Sequence, residues 1–181
     1  NAIDVPNLVN VTSMHGMFSK AIIFNDDLTD WDVSTVTNMS YMFFDSVAFN
    51  GDISTWNTSS VTDMARMFHG AASFNGDLSN WNVSAVSDMR GIFAYATAFN
   101  SDISSWDVSA VTDIGNMFSF TSNFNGDLSN WDVSAVTYML DTFAYATKFN
   151  GDISNWDVSA VTNMGGMFSQ ATAFNGDISS W

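Results

Sequence analysis

What most limits the fold of this chain is a period of 25 residues kept without a single insertion. Phe-Asn recurs at 24, 49, 74, 99, 124, 149 and 174, and Trp at 31, 56, 81, 106, 131, 156 and 181. The shared text of each unit is FNGDISxWDVSxVTxMxxMFxxAxx. Fixed self-similarity of this length is the signature of a repeat stack, because one unit cannot bury its apolar side alone and neighbours bury it together. Residues 1–23 form a partial N-terminal repeat in which Pro6, the only proline, stands in the Trp slot. Proline suits an outer edge without a partner. The chain thus reads as a single domain over 1–181, and as a fragment of a longer protein, since it starts without Met and stops inside a repeat.

Composition then excludes several classes. At 181 residues and 46% hydrophobic, the chain can bury a sizeable core. Its net charge of -15, with Lys20, Arg66, Arg90 and Lys148 as the only Lys and Arg, argues against nucleic acid and anionic membranes. No apolar run reaches the roughly 18 residues of a membrane span, so this segment does not insert. All 19 acids are Asp. Asp is short and bonds its own backbone, which points to turns and loops. Without Cys there are no disulfides, thiolate nucleophiles or zinc-thiolate sites.

Two periodicities separate inside the unit. Trp106-Asp107-Val108 has apolar residues two apart, the spacing of a strand. Val111, Ile114, Met117, Phe118 and Thr121 fall at the spacing of one helix face, with Ser109 as N-cap. The expected fold is an α/β repeat solenoid with one short parallel strand plus one short helix or 3₁₀ turn per 25-residue repeat, right-handed, of about seven turns. Strands spaced by about 4.8 Å against helices spaced by about 8–10 Å would curve it, strands inside.

The spacing Ile103xxTrp106xVal108xxVal111xxIle114 resembles the leucine-rich-repeat pattern. The wording DISxWDVSxVTxMxxMF resembles the BspA-like bacterial surface-protein repeat, known from mycoplasmas and other bacteria, over nearly the whole chain. That resemblance implies a secreted or cell-surface, leucine-rich-repeat-like module of a larger surface protein, used in adhesion or partner binding. It carries over no catalytic residue.

The conspicuous residues mostly serve the stack. Seven Trp and fourteen of the sixteen Phe occupy three recurring slots, as stacked core ladders would require. The Met residues fill inward slots. Asp27, Asp52, Asp77, Asp102, Asp127, Asp152 and Asp177 form an invariant column, read as turn caps ahead of a calcium site. The column Asp32, Asn57, Asn82, Asp107, Asp132 and Asp157 accepts amides and reads as a solvated concave-face position. Asn25 and its six equivalents read as an Asn ladder between turns. A near-continuous Thr column from Thr12 to Thr162 reads as capping before it reads as an ice-binding surface, and the sequons at Asn10, Asn38, Asn57 and Asn82 read as coincidences of a Ser/Thr-rich repeat. His15 and His69 lie in different slots with no carboxylate at triad or metal spacing, so no catalytic residue, metal site or cofactor is expected.

Six aromatics break the pattern: Tyr41, Phe44, Tyr95, Phe120, Tyr138 and Tyr145. Tyr95, Phe120 and Tyr145 share one slot in consecutive repeats, where other repeats hold Lys20, Asp45, Gly70 and Gln170. They are the candidate ligand-binding residues, expected to point outward from the helix side unless the rings fold back over the core edge. The functional expectation is a non-enzymatic extracellular or cell-surface module contacting a protein or glycan on another cell or matrix. A structural spacer or a filament subunit that self-associates end to end is the alternative.

Overall fold

A computed structural model describes residues 5–181; the first four residues of the expected domain lie outside the described part. The 25-residue repeats stack in register, but the expected α/β solenoid is not what the chain forms. No helix occurs among the described residues, and strand-type pairing between repeats is limited to isolated parallel bridges: Ser13 to Asn38, Asn38 to Asp63, and onward to Tyr138 and Asn163. Each repeat is a train of turns. In the unit from Ile53 to Phe74, backbone N–H groups of Trp56, Val61, Met67, His69, Ala71 and Phe74 each donate to the carbonyl three residues back.

The helix is lost for a conformational reason. Positions 16 and 20, with their equivalents every 25 residues up to 166 and 170, all adopt left-handed backbone, with φ between 53° and 70°. Two such residues four apart leave no room for a right-handed helical run. The donors alternate instead. Ile114, Asn116, Phe118 and Phe120 donate to carbonyls of Tyr138, Leu140, Thr142 and Ala144 in the next repeat, while Met117, Ser119 and Thr121 close local turns. Ser109 therefore caps no helix; its N–H and hydroxyl donate to Asp107. The strand expected at Trp106–Val108 is absent too, because the Trp106 N–H closes a turn onto Ile103 and the bridging residue of that repeat is Asp113. Without helices, the pitch mismatch that called for a concave strand face and a convex helix face disappears.

The burial pattern nevertheless follows the spacing. Val111, Ile114, Met117, Phe118 and Thr121 are all buried. Phe43, Phe68, Phe93, Phe118 and Phe143 stack at 5.5–5.9 Å, and a second Phe column through Phe49, Phe74, Phe99, Phe124 and Phe149 stacks at 5.8–6.2 Å. The two columns touch within each repeat, as in the 3.8 Å stack of Phe43 on Phe49. Trp indoles close the core, and the six from Trp56 to Trp181 donate Nε1–H back to a carbonyl of the preceding repeat, Trp106 to Leu78 at 3.1 Å. Asn side chains run as a ladder: the Asn100 N–H donates to Asn75 Oδ1 at 2.7 Å and the Asn125 N–H to Asn100 Oδ1 at 2.8 Å. A Cβ at the Gly that follows this Asn would crowd the Phe ring two residues back, at 3.0 Å for Gly76 and 2.9 Å for Gly126, and on Gly51 it would also strike the Asp26 carbonyl of the neighbouring repeat.

Candidate functional site

The repeats differ mainly where the left-handed residues lie, between the bridging residue and the Ala that follows the inward Phe. The recurring Asp and Asn columns outside it are tied to backbone tasks. The Asp27 column accepts the N–H two residues on, as with Ser129 to Asp127 Oδ1 at 2.9 Å, and the same holds for all seven members. These bonds hold the carboxyl of Asp127 below the ordinary carboxylate range, the Ser129 backbone bond first and the Ser129 side chain second. The Asp32 column does the same, and an amide oxygen serves equally, as in Ser84 N–H to Asn82 Oδ1 at 3.0 Å. The position is exposed, as a solvated slot should be, and it caps a turn as well. A third such turn starts at Asp63, Asp88 and Asp113. Among the described residues no three His, Cys, Asp or Glu side chains converge as metal ligands would.

Tyr95, Phe120 and Tyr145 sit at left-handed positions with φ of 60°, 58° and 59°. They occupy a turn tip, not the outer face of a helix. Tyr95 and Tyr145 are 45% and 42% exposed, and Phe120 is half-buried between them. The rings pile face to face, Tyr95 on Phe120 at 4.5 Å and Phe120 on Tyr145 at 4.2 Å, within 9° of parallel. Bulky residues rarely adopt this backbone region, where a Cβ costs about 1–2 kcal/mol. Only Gly70 in this column escapes that cost.

The pile is the end of a longer row that slot-by-slot reading missed. His69 contacts Tyr95 at 5.2 Å and stacks on Phe44 at 4.6 Å; Phe44 meets Tyr41 at 5.4 Å, and Tyr41 meets His15 at 5.4 Å. Seven rings in four slots thus form one continuous ridge across six repeats. Shared departure from the consensus in adjacent slots was the available signal. Tyr138 stands apart, its ring lying where a Cβ on Gly115 would be.

One of the four cations contacts a ring of the ridge. Arg66 donates to the Tyr41 hydroxyl at 2.7 Å with its guanidinium 5.6 Å from the ring centre. Arg90 pairs with Asp88 at 3.0 Å and approaches Asp113 at 3.8 Å. Burial pushes the Asp88 carboxyl up, against the pull of its bond to the Arg90 backbone. Lys148 donates to Asn123 at 2.6 Å. Burial holds His69 below its ordinary value of 6.5, with Asp45 opposing and Arg66 reinforcing. The one His–Ser contact, His15 Nδ1 to Ser40 Oγ at 2.7 Å, is no nucleophile pair: the Ser40 hydroxyl donates to Asn38 Oδ1, and no carboxylate backs the ring.

Two overlapping stretches, residues 1–105 and 88–181, match the family model described as Mycoplasma protein of unknown function, DUF285. Among curated proteins none matches the chain.

Proposed function

We propose, for a chain that belongs to the DUF285 family, a non-enzymatic binding module whose contact surface is the aromatic ridge. The observation that carries this reading is the placement of bulky, half-exposed rings at left-handed positions in three successive repeats. A fold choosing only for its own stability would put Gly or Asn there, so the rings mark a surface kept for something outside the stack. The composition fits a contact surface: Tyr, Arg and His are concentrated on one strip, and Tyr and Arg are the residues over-represented among binding hot spots. The BspA-like wording of the repeat supports an adhesive role at the cell surface or outside the cell, as one part of a larger surface protein.

The test is a comparison of the chain with its Tyr95→Ser/Phe120→Ser/Tyr145→Ser variant in a protein and glycan binding screen, with solution mass measured alongside. Ring-dependent binding by a monomer supports the module. Association through the ends of the stack, unaffected by the triple change, would favour a filament subunit or spacer.

A further inference from the structure

The stacking of the ridge narrows what it can bind. A sugar is gripped by an open aromatic face, yet both faces of Phe120 are covered, by Tyr95 at 4.5 Å and Tyr145 at 4.2 Å. Tyr95 is flanked on its other side by His69 at 5.2 Å. Apart from the far face of Tyr145, which has no ring neighbour, the pile offers outward a row of ring edges, and the Tyr95 and Tyr145 hydroxyls have no hydrogen-bond partner among the described residues. Ring edges carry the positive end of the aromatic quadrupole and suit carbonyl oxygens, other ring faces and aliphatic side chains. Polypeptide supplies all three.

Charge says which polypeptide. Arg90 is paired with Asp88 and Asp113 and Lys148 bonds Asn123, whereas Arg66 bonds the neutral Tyr41 hydroxyl and keeps its charge, and Lys20, in the Tyr95 slot but five repeats before Tyr145, has no ion pair among the described residues. Asp141, at the left-handed position of the repeat that carries Tyr145, has no ion pair among the described residues, and Asp45 approaches only His69, at 3.8 Å. The chain as a whole carries -15. An approaching surface meets uncompensated carboxylates beside the rings and a negative field around them.

We infer that the ridge receives a polypeptide segment carrying Lys or Arg beside apolar side chains. This rests on the ridge being the contact surface, and the experiment separates the two. The full chain is panned against a displayed library of random 12-residue peptides and, in parallel, against a glycan array. Expected is enrichment of peptides with basic and apolar residues. Their binding should weaken about tenfold or more in Tyr95→Ser/Phe120→Ser/Tyr145→Ser, and their association should slow about tenfold from low to high salt. Asp141→Asn should slow it too. Near-UV circular dichroism checks that the triple variant is folded. If it is not, Tyr145→Gln, a side chain the same slot carries at Gln170, replaces it. Ring-dependent glycan binding without peptide enrichment overturns this inference and leaves the contact surface standing, and so does ring-dependent selection of acidic or uncharged peptides. Binding indifferent to the rings, or none from either library, removes both.

Discussion

At the scale of single residues, the absence of Glu has a mechanical cause. Fourteen of the nineteen Asp residues accept the N–H two residues on, a reach that suits one methylene and not two. Asp127→Asn should therefore lower Tm only slightly while Asp127→Glu lowers it more, and a chelator should leave Tm unchanged. The pH profile follows from the shifts. Carboxyls such as Asp102, Asp127 and Asp152 are depressed below 3.8 when folded, so their stabilisation is complete above that value and is lost as pH falls through the folded values. His69 is depressed below 6.5, so the unfolded chain takes up its proton first and stability declines as pH drops from 6.5. Thermal melts should show both declines, and His69→Phe, which copies Phe44 in the same slot, should erase only the upper one. The left-handed positions give a third test. Gln170, exposed at φ 59°, sheds about 1–2 kcal/mol of backbone strain on becoming Gly and gains about 0.5–1 kcal/mol of chain entropy to lose on folding, so Gln170→Gly should be neutral to stabilising in denaturant melts. Gly91→Ala should be destabilising, since its Cβ would also sit 3.3 Å from Arg66 Cγ.

At the scale of the repeat element, the ladders decide stability. Trp106 is buried and has Trp81 and Trp131 in the adjacent repeats, whereas Trp181 is half-buried with only Trp156 beside it. Trp106→Ala should cost about 3–5 kcal/mol and Trp181→Ala far less; equal losses would contradict a stacked ladder. This element also shows what the sequence could convey. Inward positions were readable because burial depends on spacing, and Val111, Ile114, Met117 and Phe118 are inward whether the backbone coils into a helix or steps through successive turns. The conformation was not readable from that spacing, since both solutions bury the same side chains. A discriminating signal did exist one slot before the inward Met: Gly16, Gly91, Asn116, Asp141 and Gly166 are residues that tolerate left-handed backbone, and Gly is poor inside a helix. Tyr95, Phe120 and Tyr145 were visible as a column for the converse reason, that no core slot required them. Tyr41, Phe44 and His69 were not visible as their continuation, because the row changes slot between Tyr41 and Phe44 and again between His69 and Tyr95.

At the scale of the whole molecule, the inter-repeat hydrogen bonds link residues about one period apart: 24 for the turn-tip ladder, 25 for the Asn and Thr ladders, 28 for the Trp indoles. Stability of such a stack is a sum of repeat terms and nearest-neighbour terms, so the number of repeats is negotiable and their register is not. Deleting residues 99–123 removes one whole period and joins Ala98 to Phe124 with every slot aligned. The Phe, Trp and Asn ladders then close across the cut, and Tyr145 comes to lie beside Tyr95 in the shortened ridge. Deleting residues 99–122 removes one residue fewer and puts every downstream side chain one slot out, so that beyond the cut a Phe meets the place of an Asn and the Phe, Trp and Asn ladders fail to close across it. The 25-residue deletion should melt in a single cooperative transition with near-UV circular dichroism like that of the parent and a lower Tm. The 24-residue deletion should lose the near-UV signal of the repeats after the cut and be cleaved there by protease. Equal behaviour of the two would mean that the repeats fold without the register their hydrogen bonds describe.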